Sequence, residues 1–250
     1  MKIAICLAGI HYEYSRTRFI DYRKSLANYK KFIFDDLINN NNTVHIFISS
    51  YNSDIETELI NDFQPHDIEL TEFNPEDNSI VCILNHNMKL IDMVKKNEIK
   101  LDIKYDYIIS SLRFDLVFFK KISEMNINYN AFNICMKHSS GNADGGFWII
   151  TRNYLDDYKL ILKNFPITIH EGLHVINHTI INYNKSNNKN LDIHYMYTID
   201  DTDYKNRTCN QYYLIVGSTQ AFNEPIDIMI KALNTYKNMN LTLSYLNYNY

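Results

Sequence analysis

The hydrophobic pattern changes period several times along the chain, and each change marks an element. Lys2 to Leu7 is a largely apolar run ending at Ala8-Gly9, as expected of a central parallel strand buried on both faces. A polar, aromatic loop follows from His11 to Arg18. From Asp21 to Asn39 the apolar positions Leu26, Tyr29, Phe32, Ile33 and Leu37 fall near helical spacing, with Asp21 as the expected cap. Val44 to Ile48 reads as a second strand, Ser53 to Asp62 as a short helix, and Pro65 to Leu70 as the approach to a third strand. Ile80 to Lys96 is a longer amphipathic helix with Leu84, Met88, Ile91 and Val94 along one side. Tyr105 to Phe119 then supplies a fourth strand, interrupted by Arg113 and Asp115.

Strand and helix alternate through this half, which predicts an α/β fold with a mostly parallel central sheet flanked by helices. The second half is less regular. A short helix at Lys120 to Met125 and a strand at Ala131 to Met136 lead into His138 to Gly146, a loop holding half of the six glycines. A strand at Phe147 to Ile150 comes next, then helices at Asn153 to Lys163 and Ile169 to Tyr183 and a polar connection at Asn184 to Asn190. Late strands at Ile193 to Thr198 and Tyr212 to Val216 suit a sheet with added antiparallel edges, and Pro225 to Tyr236 reads as a terminal helix. The expected organisation is one domain over 1–220, with a C-terminal helix and tail, 221–250, on the same domain.

Composition narrows the classes. At 250 residues, 46% hydrophobic and 22% charged, the chain can bury a sizeable core. A formal charge of −4 gives no basic field for nucleic acid. Cys6, Cys82, Cys135 and Cys209 lie far apart with no C-x-x-C pair, which suits reduced thiols in a cytoplasmic setting rather than a zinc knuckle or a disulfide framework. No apolar run approaches the ~18–20 residues of a membrane span. Neither G-x-G-x-x-G nor G-x-x-x-x-G-K-[ST] is present, so the dinucleotide and P-loop phosphate fingerprints are missing.

Three segments carry candidate chemistry. Arg113 and Asp115 are opposite charges two residues apart, either an ion pair closing a strand or a polar site at the carboxyl edge of the sheet. Asp201-Thr202-Asp203 is a literal D-x-D, read as a solvated acidic turn because it lies so late in the chain. His170-Glu171-Gly172-Leu173-His174 is a literal H-E-x-x-H, with His178 one helical turn on, and so offers a zinc hydrolase as an alternative. Against it, Gly172 weakens the helix, and Asn177 and Ile180 stand where a metzincin has glycine and a third histidine.

The order of segments, with Asp21 to Lys31, Arg113-Phe114-Asp115-Leu116 and Asp144-Gly145-Gly146-Phe147-Trp148, resembles small GT-A-type glycosyltransferases of giant viruses, chloroviruses and bacterial polysaccharide clusters. The likeness runs from Lys2 to about Tyr183. It implies transfer from a UDP- or GDP-linked sugar donor to a saccharide or glycan acceptor, with inversion, in the cytoplasm (of a host cell, if the protein is viral). The donor would lie over the carboxyl ends of the first, second and fourth strands, against Ala8, Gly9, Arg16, Tyr51, Arg113 and Asp115. Arg18 and Arg23 are further candidates for the donor phosphates. Asp144, or Glu171 in second place, would be the general base. Such enzymes hold Mn²⁺ or Mg²⁺ with a D-x-D, and Asp115 is the carboxylate left to bind it, since Arg113 stands where the first acid would be. That replacement also suggests a third alternative, an inactive module that binds nucleotide sugars or glycans.

Overall fold

The structure is a computed structural model, which describes residues 1–14, 19–74, 78–118, 120–137, 143, 146–166, 175–198 and 213–215. Seven strands form the central sheet: β1 (Lys2–Ala8), β4 (Thr43–Tyr51), β5 (Asp67–Thr71), β6 (Tyr107–Leu112), β8 (Phe132–Lys137), β9 (Trp148–Thr151) and β10 (Ile193–Thr198). Their order across the sheet is β10-β8-β9-β6-β1-β4-β5. Only β9 runs antiparallel to its neighbours. The expected α/β class and mostly parallel sheet are therefore present, but the antiparallel strand sits inside the sheet and the edge strand β10 is parallel.

Strand alternation explains the layering. Ile3, Ile5 and Leu7 of β1 enter one core, while Ala4, Cys6 and Ala8 enter the other. The first core is covered by a helix running from Arg23 to Asn39 and by α3 (Glu56–Phe63). Within that helix, α1 (Arg23–Tyr29) and α2 (Asp35–Asn39) flank a π-helical stretch at Lys30–Phe34. The second core lies beneath α4 (Ser79–Leu101), α5 (Leu155–Lys163) and α6 (Ile176–Asn187). Among the described residues no helix is long and apolar enough to cross a membrane.

Several elements differ from their sequence patterns. The expected loop after β1 contains a small antiparallel hairpin, β2 (Tyr12–Tyr14) with β3 (Phe19–Asp21). Asp21 ends β3 instead of capping the helix, although its carboxylate accepts the Arg23 N–H at 3.1 Å. The Tyr105 to Phe119 run is two strands: β6 ends at Leu112, a turn covers Phe114 and Asp115, and β7 (Leu116–Phe118) pairs with β11 (Tyr213–Ile215) outside the main sheet. α6 continues to Asn187, through much of the expected connection. The expected terminal helix lies outside the described residues.

Candidate functional site

After β1 the chain moves outward through β4 and β5, then returns with β6 on the other side of β1. Parallel sheets bind ligands beyond the carboxyl ends of their strands at such a reversal. Ala8 closes β1 fully buried, and Gly9 turns away with φ +97°, a conformation that favours glycine. The Gly9 N–H donates to the Ser49 carbonyl at 3.1 Å, and its carbonyl accepts the Ser50 hydroxyl at 2.6 Å. The ends of β1 and β4 are thereby fastened together.

His11 extends this fastening. It is buried, with Nδ1 at 2.6 Å from Ser50 Oγ and Nε2 at 2.7 Å from Ser53 Oγ. Ser50 has a single proton and gives it to Gly9, so it must accept from His11. That places the ring proton on Nδ1 and makes Nε2 the acceptor for Ser53. Burial pushes the His11 pKa down to about 4, against the opposing pull of Asp21. Its ring also meets the edge of Phe114, at 5.8 Å between centroids, linking the β1 end to the β6 end.

The β6 end is bulged. Ile5 pairs with Ile109 and Leu7 with Leu112, so β6 contains one extra residue, and Ser111 has φ +58°. The α4 side chains hold this irregular segment: Asn87 Nδ2 donates to Ser111 Oγ at 3.3 Å, and Asn87 Oδ1 accepts the Ser110 hydroxyl at 3.3 Å. His86, one residue earlier, reaches Ser49 Oγ at 2.7 Å. One helix thus braces the carboxyl ends of β4 and β6.

The bulge leads directly into Arg113 and Asp115. Nε and Nη2 of Arg113 donate to the two oxygens of Asp115, at 2.8 and 2.6 Å. The Asp115 side chain is 4% exposed and that of Arg113 is 34% exposed, so the carboxylate is inside and the cation outside. Three residues of α1 hold the backbone around them. Tyr29 donates its hydroxyl to the Arg113 carbonyl, Ser25 Oγ donates to the Phe114 carbonyl at 2.5 Å, and Asn28 bonds both the N–H and the carbonyl of Phe118. Burial, and then Asp115, raise the Tyr29 pKa, which keeps this donor protonated.

Ala8, Gly9, Tyr51, Arg113 and Asp115 all belong to the carboxyl ends of β1, β4 and β6. Tyr51 lies edge-on to His86 at 4.7 Å and to Phe73 at 5.0 Å, and Phe73 is 42% exposed. Arg23 is held by Asp21 and Glu58, both of which raise its pKa. Arg16, Arg18, Asp144, Glu171, His170, His174, Asp201 and Asp203 lie outside the described residues. His178 is exposed on α6, whose buried side carries Asn177 and Ile180. His11, Ser25, Asn28, Tyr29, Ser50, Ser53 and Asn87 were not singled out from the sequence as site residues. Of these, Ser25, Asn28 and Tyr29 lie in the Asp21 to Lys31 segment, on the α1 face that packs beside β7.

The donor set at Asp115 does not suit a divalent cation as placed. Such an ion would share the carboxylate with a guanidinium that already contacts both oxygens. Among the described residues no three His, Cys, Asp or Glu side chains are grouped so as to hold a metal.

No protein-family profile and no curated protein sequence matches the chain. Solved structures do resemble it in layout. A glycosyltransferase involved in glycosylation of the major capsid of PBCV-1 is 10% identical, with 93% of this chain and 98% of that one covered and a TM-score of 0.46. The glycosyltransferase GlyE of Streptococcus pneumoniae TIGR4 is 12% identical over 71% of this chain and 42% of its own, with a TM-score of 0.38. A Desulfovibrio desulfuricans G20 protein assigned to the nucleotide-diphospho-sugar transferases is 7% identical over 94% and 95%, with a TM-score of 0.41. At such scores, residue roles have to be argued from the chain's own geometry.

Proposed function

We propose that the protein is a glycosyltransferase that takes a sugar from a UDP- or GDP-linked donor and passes it to a saccharide or glycan acceptor. The observation that carries this reading is the strand-order reversal at β1 and β6, where a glycine turn, a braced bulge and an outward-facing arginine meet. The Arg113 guanidinium suits an anionic diphosphate. Tyr51 and the exposed Phe73, set edge-on to each other at the ends of β4 and β5, offer aromatic surface on which a nucleobase would stack.

In the reaction, the sugar's anomeric carbon leaves the diphosphate and bonds to the acceptor oxygen. The acceptor's proton passes to a carboxylate, for which we assign Asp144 or, second, Glu171, with inversion. The α1 side chains bonded to the backbone around Arg113 and Asp115 keep the diphosphate-binding turn in one geometry.

The test is calorimetry and thermal shift with UDP, GDP and their sugar conjugates, followed by detection of released nucleoside diphosphate with glycan acceptors. Binding of one nucleotide series and acceptor-dependent release are expected; failure of every nucleoside diphosphate and nucleotide sugar to bind would rule the reading out. A module that binds donor without transferring it is a second reading, favoured because Asp115 is already engaged by Arg113. It predicts binding with no release. The zinc hydrolase predicts stoichiometric zinc in protein purified without added metal, lost in His174→Ala.

A further inference from the structure

We infer that the chain binds the diphosphate of its donor with the Arg113 guanidinium in place of a divalent cation; the inference rests on the nucleotide-sugar reading above. Three observations at the end of β6 support it. The first is the occupation of Asp115: Arg113 contacts both carboxylate oxygens, at 2.8 and 2.6 Å. Mg²⁺ or Mn²⁺ would need an oxygen at roughly 2.0–2.2 Å and would bring a second positive charge onto the same carboxylate. The second is the radial order of the charges. With the carboxylate 4% and the guanidinium 34% exposed, an arriving anion meets the cation before it meets the acid. The reverse order would repel a diphosphate.

The third observation is the rigidity of the turn. Tyr29 holds the Arg113 carbonyl, Ser25 holds the Phe114 carbonyl, and Asn28 holds both backbone groups of Phe118. Giving Asp115 to a metal would break its pair with Arg113 while the backbone around both stayed held. The same two-point clamp fixes the plane of the guanidinium, which a lysine, as a point charge, would not reproduce. The guanidinium, always protonated and held in a pair that is neutral overall, is then the phosphate's partner, so donor binding needs no ion from solution.

The experiment is isothermal titration of the full chain with UDP and with GDP, in EDTA and again in millimolar Mn²⁺ or Mg²⁺. The expected result is an affinity that changes by less than about twofold between the buffers, and an Arg113→Lys variant weakened about tenfold in both, as loss of a bidentate cation predicts. Binding that disappears in EDTA and returns with Mn²⁺ would overturn the inference while leaving the nucleotide-sugar reading intact. Absence of binding in every buffer would overturn both. Unchanged affinity in an Arg113→Lys protein that melts cooperatively would also overturn it. Should that variant not fold, the EDTA comparison on the unaltered chain still decides.

Discussion

Tyr29 shows how much of this site depends on atoms that never touch a ligand. Its ring packs edge-on against Phe118 at 5.5 Å, and its hydroxyl is spent on the Arg113 carbonyl. Tyr29→Phe keeps the ring and removes the donor, leaving a part-buried carbonyl with one partner fewer. The expected cost is about 1–2 kcal/mol in thermal or denaturant unfolding. If the hydroxyl positions Arg113, the variant's affinity for nucleoside diphosphate falls as well, while a melt alone would report only the structural loss. The residue was legible in the sequence as a core position of a helix, because its spacing matched Leu26 and Ile33. Its bond to a carbonyl 84 residues away was not, since no local pattern encodes a partner at that distance.

Among the elements, α4 does the most for the site. Asn78 caps it by accepting the Ile80 and Val81 N–H groups, and about two turns further along His86 and Asn87 grip β4 and β6. Asn87→Ala would leave the hydroxyls of Ser110 and Ser111 short of a buried partner, for an expected loss of roughly 2–3 kcal/mol measured by thermal melting. A helix over Ile80 to Lys96 could be read from Leu84, Met88, Ile91 and Val94, because amphipathic spacing is a local signal. Asn87 falls between those positions, and nothing local marks it as the partner of Ser110 and Ser111. The strand elements show the same limit. The apolar run of β1 announced a doubly buried strand, but the break in Tyr105 to Phe119 depended on a bulge and on pairing with β11, both of which are settled by distant chain. Likewise β9 became an interior antiparallel strand because it pairs with β6 and β8 at once, which periodicity alone cannot specify.

Across the whole molecule, buried histidines set how stability responds to acid. Burial lowers His11 to about 4, and burial with Lys89 lowers His86 to about 4, from an ordinary value of 6.5. Both are therefore neutral when folded and take up a proton more readily when unfolded. The unfolded state binds more protons between pH 6.5 and about 4, so stability falls as pH drops through that window and is unaffected by these groups above it. Chemical denaturation at pH 7 and pH 5 should show a loss of about 2 kcal/mol per histidine, and a His86→Gln variant should lose correspondingly less. A flat profile over that range would contradict the burial of these rings. Glu98 acts lower down: burial raises its carboxyl, but Arg152, the Tyr105 N–H and Lys104 outweigh this and hold it below its ordinary value. Its contribution is present above the unfolded carboxylate pKa and fades as pH falls through the folded one.

The pairing of β7 with β11 carries a consequence for how the protein is made. Every strand of the central sheet is complete once β10 ends at Thr198, but β7, next to Arg113 and Asp115, waits for Tyr213–Ile215. On a ribosome the strands of the sheet therefore leave the exit tunnel before β11, the strand that pairs with β7, does. The turn that carries Arg113 and Asp115 thus gains its β7–β11 support after the strands of the central sheet are all available.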